Sequence, residues 1–351
     1  MSSTGRPLPR YYRALAALIR HAYFRVRQVG VWPPAKTGAR LIVSSHRNGA
    51  IDGYVVMQAF PQAQFLVSVQ LLRSRWLRLL FSGIPVAREK DRVRYGLNRA
   101  AYGNPVEAGV AHLRAGGDLV VFPEGTSEWG HRPLPYQKGA ARMAQALLAE
   151  GVPVEVIPVG LHYVQPDRFR SEVEVLVGAP IALPSATPGD TPKAWEDRIH
   201  AAISAGLDAV SVHCPDEATF HAAEAEARDA WAAGASYAAT FLAAQKNGPR
   251  PLDLEPSLRA PHIVDLLLVV TFLVVTFPVL GLGALAGTRA DARNTVTFFR
   301  ILGSLVGLVL TVPVWVGLAL AWPGWASVIG VLAAWGFVRY PRVFNPQRPR
   351  S

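Results

Sequence analysis

The sequence predicts an α/β domain built on a largely parallel sheet flanked by helices, followed by a helical extension and a C-terminal transmembrane helical region. Three features predict it. Between 39 and 177, apolar runs at 41–44, 65–67, 119–122, 154–159 and 173–177 alternate with helical stretches such as 106–115 and 140–150, the pattern of buried strands joined by crossover helices. From 191 to about 245 the chain is alanine-rich and helical in spacing but too polar to span a bilayer. In the last third, 263–286 and 301–322 each exceed the roughly 20 apolar residues needed to cross a hydrocarbon core, and 325–338 is a shorter candidate.

The 351 residues divide accordingly into 1–35, 36–190, 191–250 and 251–351. In the first segment, Tyr12, Leu15, Leu18, Ile19, Ala22, Tyr23 and Val26 recur at steps of three and four, flanked by Arg13, Arg20, Arg25 and Arg27. This predicts an amphipathic helix over 8–29, either packed on the domain core or lying on a bilayer with its arginines at the headgroups. A Pro/Ser/Thr/Gly stretch after Pro180 ends at Thr191 and Pro192, an N-cap with proline at the first helical position. Residues 247–251 (NGPRP) read as a linker into the apolar region.

In that region Pro278, Pro313 and Pro323 are placed to kink or end helices, while Trp322, Trp325 and Tyr340 suit interfacial anchoring. Arg289, Arg293 and Arg300 lie in the first connection and Arg339, Arg342, Arg348 and Arg350 in the tail, so the charge rule places both on the cytoplasmic face. With the globular part also cytoplasmic, 263–286 is expected to be re-entrant, turning near Pro278, and 301–338 to form a hairpin; three true spans are the alternative. Gly283 with Gly287, or Gly303 with Gly307, predicts close helix packing.

Composition narrows the chemistry. Half of the residues are hydrophobic, and 36 Lys and Arg against 25 Asp and Glu give a formal net charge of +11. The mean hydropathy is +0.20. Such a chain suits an anionic membrane surface or phosphate-bearing substrates. Nucleic acid is not expected, because the basic residues are spread among apolar segments and no binding signature appears. Cys214 is the single cysteine, which excludes an intrachain disulfide and a thiolate zinc cluster. Arginines interrupt the N-terminus throughout, unlike a secretory signal, so the globular part is expected in the cytoplasm. The remaining histidines show no metal-ligand spacing, and no Gly-x-Ser-x-Gly elbow accompanies Ser44 or Ser45.

Four blocks carry the functional signal: SHRNGAID at 45–52, GIPVAR at 83–88, FPEGTS at 122–127 and VIPVG at 156–160. In this order they resemble the glycerolipid acyltransferase superfamily, over about residues 10 to 200. The resemblance implies transfer of a fatty acyl group from a thioester to a hydroxyl of a glycerol phosphate or lysophospholipid. The commonest family pattern has four residues between histidine and aspartate; this chain has five, a variant that resembles the yeast-type glycerol-3-phosphate and dihydroxyacetone-phosphate branch. On a regular helix the extra residue rotates Asp52 by about 100° from the usual position, and Gly49 is the residue able to absorb it in a loop.

An alcohol is a poor nucleophile until a base takes its proton, and imidazole has a suitable pKa, so His46 is the candidate base. Asp52 is the candidate partner that fixes its tautomer. Arg88 suits bidentate recognition of the acceptor phosphate, or is a surface arginine before a charged run. Glu124, Gly125 and Thr126 follow a strand; the resemblance gives this block to acceptor binding, and its backbone N–H groups are candidates to meet charge on the thioester oxygen, against an ordinary strand-end turn. Lys138 is a further candidate for phosphate or coenzyme A, or a solvated lysine at a helix start. Pro158 is expected to shape the pocket wall. Acyl-coenzyme A or an acyl carrier protein thioester is the expected co-substrate, with no metal and no cofactor. The expected partners are the bilayer, the donor and the acceptor. A lipid-binding or scaffolding membrane protein with a misregistered pair, and a lipase or thioesterase, are the rival readings.

Overall fold

The computed structural model describes residues 8–31, 38–72, 74–87, 104–249 and 262–344; Arg88 lies outside them. In chain order its elements are α1 (Arg10–Tyr23), β1 (Arg25–Gly30), β2 (Ala39–Ser44), α2 (Ile51–Val56), β3 (Gln64–Ser68), α3 (Val69–Leu72), α4 (Leu77–Leu80), β4 (Ile84–Val86), α5 (Pro105–Arg114), β5 (Asp118–Val121), α6 (Gly139–Ala149), β6 (Val154–Tyr163), β7 (Glu172–Val177), α7 (Pro192–Asp208), α8 (Glu217–Ala232), α9 (Tyr237–Asn247), α10 (Ile263–Gly287), α11 (Arg293–Ala321) and α12 (Pro323–Phe344). The strands form one seven-stranded sheet in the order β1-β7-β6-β2-β5-β3-β4. All its pairings are parallel except β6 with β7. The fold is therefore the expected α/β architecture on a largely parallel sheet, with one antiparallel pair that the sequence did not announce.

Strand β2 is buried along its whole length, because helices cover both faces of the sheet. Its alternation sends Leu41 and Val43 into a core with Leu113, Leu119, Met143, Leu147, Ile199 and Ile203, beneath α5, α6 and α7. Ile42 points the other way, into a core shared with Tyr12, Ile19, Val55, Val120, Ile157 and Tyr163 under α1 and α2. Helix α7, the start of the extension, thus helps to close one face of the sheet through Ile199 and Ile203. The α8 and α9 hairpin builds its own cluster around Phe220, Trp231, Tyr237 and Phe241.

The N-terminal helix is shorter than its periodicity predicts. It ends at Tyr23, and Arg25–Gly30 form an edge strand parallel to β7. In RVRQV the period is two: Arg27 reaches Glu172 (3.1 Å) and Glu174 (3.4 Å), and a helical stripe through Val26 overlooks this alternation. The buried face of α1 carries Tyr12, Ala16, Ile19 and Tyr23, so that face packs on the core.

The C-terminal helices also correct one expectation. Helix α10 continues through Pro278 without a break, so no re-entrant turn forms there, and α10 and α11 are each long and apolar enough to cross a membrane. Glycines do mediate their packing: a Cβ on Gly307 would meet the Val279 Cα at 2.6 Å, and one on Gly287 the Arg300 Cγ at 2.8 Å. Both ends of the α11–α12 pair return to one loop of the α/β domain. Arg300 near the start of α11 donates to the Asp167 carbonyl, and Arg168 donates to the carbonyl of Phe344 at the end of α12. At the start of α10, Asp265 pairs with Arg339 of α12 (3.5 Å).

Candidate active site

The site lies where the loops after β2, β5 and β6 meet, beyond the carboxyl ends of the strands, where crevices open in α/β sheets. Ser45 ties the end of β2 to β6: its N–H donates to the Val159 carbonyl (3.0 Å) and its hydroxyl accepts from the Leu161 N–H (2.9 Å). The next residue, His46, is clamped through its backbone by the loop after β5. Its N–H donates to Glu124 Oε1 (2.8 Å), and its carbonyl accepts from the Glu128 N–H (3.1 Å).

The imidazole Nδ1 lies 2.9 Å from Asp52 Oδ2. Asp52 is fully buried in the first turn of α2 and receives two further bonds, from the Asn48 N–H to Oδ2 (2.7 Å) and from the Tyr163 hydroxyl to Oδ1 (2.6 Å). Three donors offset the cost of burying a carboxylate. The five-residue spacing is accommodated because the pair does not share one helix. His46 precedes α2, Asp52 is inside it, and Gly49 between them takes φ +55°, a left-handed conformation that glycine adopts without steric cost. The Phe122 ring stacks on the imidazole at 4.4 Å and 22°. Nε2 of His46 has no protein partner among the described residues, and its side chain is 17% exposed.

Glu124 is 5% exposed and faces the His46 backbone. Burial pushes its carboxyl up to about 7, opposed by the His46 N–H and by the charges of His46 and Arg47. Gly125 (φ +71°) and Thr126 are exposed at the rim of this loop. The structure thus brings together His46, Asp52 and the Glu124 loop. Lys138 is engaged elsewhere, its ammonium paired with Asp197 on α7. Pro158 sits within β6, opposite Val43.

Several neighbours escape sequence reading. Tyr163 stands 111 residues from Asp52 and reaches it only because β6 runs on past the end of β2. Arg47 is buried, donates to the Gly130 carbonyl (2.7 Å) and stacks over Trp129 (4.4 Å); burial lowers its pKa from the usual arginine value. Asn294, at the start of α11, donates to both the carbonyl (2.8 Å) and the hydroxyl (2.9 Å) of Ser127. The one available signal for Tyr163 is its place three residues past the fourth block.

An imidazole fixed by a buried carboxylate, on a loop at the carboxyl edge of a parallel sheet, defines a site suited to general-base chemistry on a hydroxyl. Residues 25–162 match the family model for Acyltransferase, so this segment is similar to that family. Glycerol-3-phosphate O-acyltransferase 1 of Saccharomyces cerevisiae is 33% identical over 115 residues, 31% of this chain and 15% of that protein. Glycerol-3-phosphate O-acyltransferase 2 of the same yeast is 31% identical over 122 residues, 33% of this chain and 16% of that protein. The match thus spans about a sixth of the length of these relatives. Among solved structures, the 1-acyl-sn-glycerophosphate acyltransferase PlsC of Thermotoga maritima is similar at a TM-score of 0.38 and 14% identity, over 56% of this chain and 76% of that one.

Proposed function

We propose that this protein is a membrane-bound O-acyltransferase that moves a fatty acyl group from an acyl thioester to a hydroxyl of a glycerol phosphate or lysophospholipid. The observation that carries the reading is the contact of His46 Nδ1 with a carboxylate held from three directions. Asp52 accepts from Nδ1, which leaves Nε2 as the acceptor for the substrate hydroxyl proton. As Nε2 takes that proton, the hydroxyl oxygen attacks the thioester carbonyl. The tetrahedral adduct collapses with cleavage of the C–S bond, and the departing thiolate recovers the proton from Nε2. No acyl-enzyme is formed. Asp52 stabilises the imidazolium while it lasts, and the Phe122 ring limits tilting of the imidazole.

The exposed Gly125 and Thr126 backbone would line the acceptor side, and Arg88 would bind the acceptor phosphate. Glu124 supports the site from behind, through the His46 N–H. Acyl-coenzyme A or an acyl carrier protein thioester would be the donor, and no cofactor is called for. The α11–α12 hairpin, with Trp322 and Trp325 exposed at its turn, would insert into the bilayer from the cytoplasmic side on which the α/β domain sits. The test is to offer the purified full-length protein one labelled acyl thioester with a panel of acceptors: glycerol 3-phosphate, dihydroxyacetone phosphate, 1-acylglycerol 3-phosphate and other lysolipids. Label appearing in an ester product that requires the acceptor is the expected result. Free fatty acid released at the same rate with or without acceptor would replace transfer by hydrolysis.

A further inference from the structure

We propose that the first two turns of α11 belong to the catalytic apparatus, with Asn294 and Thr297 acting as positioning residues that hold the three site loops in register. The inference rests on the acyl-transfer reading above and goes beyond it by making an apolar C-terminal helix part of the site. The loop after β2 carries His46, the loop after β5 carries Glu124 and Ser127, and the loop after β6 carries Pro166 and Asp167. Helix α11 bonds the last two directly and touches the first. Asn294 Nδ2 donates to Ser127 twice, at 2.8 and 2.9 Å. Thr297 Oγ1 donates to the Pro166 carbonyl at 2.6 Å, and that same carbonyl accepts from Asn48 Nδ2 at 3.1 Å. Asn48 is the residue whose N–H holds Asp52. At Gly49 a Cβ would stand 3.0 Å from the Asn294 carbonyl oxygen, so backbone meets backbone there. Arg293 adds an ion pair to Asp167 (3.6 Å) and lies over Trp129 at 4.9 Å, the ring that Arg47 covers at 4.4 Å.

The direction of these bonds distinguishes α11 from a helix that merely covers the site. Thr271, Thr276 and Thr311 turn their hydroxyls back to the carbonyl four residues earlier in their own helices, the ordinary habit of helical threonine. Thr297 turns its hydroxyl outward to a loop, and it is fully buried; Asn294 is 7% exposed and does the same. Polar side chains buried in this way make bonds that leave an unpaired group behind when broken. The chain Asp52, Asn48, Pro166, Thr297 therefore links the orientation of the imidazole to the seating of α11.

The test uses the full-length protein in lipid vesicles, with Asn294→Ala, Thr297→Val and Thr297→Ser. Thr297→Val keeps the side-chain shape and covers the case in which Asn294→Ala does not fold. Thr297→Ser restores the donor. Expected are a fall in kcat of about 10- to 100-fold for the first two, as a small misplacement of reacting groups produces, KM for donor and acceptor within threefold of wild type, and recovery of kcat in Thr297→Ser. Amide exchange is the second readout, independent of turnover: protection at 45–52 and 122–130 should fall in Asn294→Ala and Thr297→Val while that of β7 is kept. Wild-type kcat in both variants, or equal loss in Thr297→Ser and Thr297→Val, would overturn the proposal. If the wild-type protein transfers no acyl group, the acyltransferase reading fails, and exchange decides this inference alone: unchanged protection of the two loops overturns it.

Discussion

The Tyr163 hydroxyl donates a 2.6 Å hydrogen bond to Oδ1 of Asp52, the oxygen that His46 does not use. Both groups are buried, so this bond sets the plane of the carboxylate and hence the direction in which Oδ2 faces the imidazole. Tyr163→Phe removes the donor and keeps the ring. A buried bond to a charged acceptor is worth about 1.5–3 kcal/mol, so stability should fall by an amount of that order and kcat by about tenfold, with KM little changed. Urea unfolding in detergent and initial rates measure the two effects.

The buried Glu124 carboxyl gives stability a pH dependence of known sign. Its folded pKa of about 7 lies above the ordinary 4.5, so the folded chain holds this proton more tightly than the unfolded chain. Its contribution is complete below 4.5 and is lost as pH rises through 7, about 3 kcal/mol over that window at 1.36 kcal/mol per unit. His162 acts in the opposite sense: burial pushes its imidazole down to about 4, so its contribution is present above 6.5 and lost as pH falls through 4. Glu124→Gln stays neutral and keeps an acceptor for the His46 N–H. The difference in unfolding free energy between wild type and Glu124→Gln should therefore change by about 3 kcal/mol between pH 4.5 and 7.5, while the His162 contribution cancels. A pH-independent difference would show that folding does not raise the Glu124 pKa.

Gly49→Ala addresses the spacing of the histidine and the aspartate. A left-handed conformation costs a non-glycine residue about 1–2 kcal/mol, and the new Cβ would press on the Asn294 carbonyl at 3.0 Å. The expected outcome is a loss of stability of that order, with a larger loss of activity than Tyr163→Phe produces, because the loop between His46 and Asp52 must shift. Thermal unfolding and initial rates check it; an alanine variant as active as wild type would mean that the left-handed turn is dispensable.

Much of this architecture is legible in the sequence, because buried strands between helices leave uninterrupted apolar runs: 41–44 and 173–177 fall inside β2 and β7. Strand β1 is not legible, since its alternating arginines find their partners, Glu172 and Glu174, only through tertiary pairing about 145 residues away. At the site, His46, Asp52 and Glu124 are readable from short blocks whose chemistry is local. Tyr163, Asn294 and Thr297 are not, because their partners lie across the sheet edge or on another helix. The fate of Lys138 is equally hidden: nothing near it in sequence announces Asp197. Proline in an apolar helix is ambiguous at the sequence level: α10 carries Pro278 without turning, and α11 packs against it there through Gly307.

The most direct measurement is the initial rate of acyl transfer by full-length His46→Ala, prepared in the same vesicles as wild type and matched to it in thermal unfolding and membrane insertion. Removal of the base that accepts the hydroxyl proton should lower the rate by about 10³-fold, within the range general-base catalysis supplies. A rate within threefold of wild type, from protein that is equally folded and inserted, would contradict the role assigned to His46.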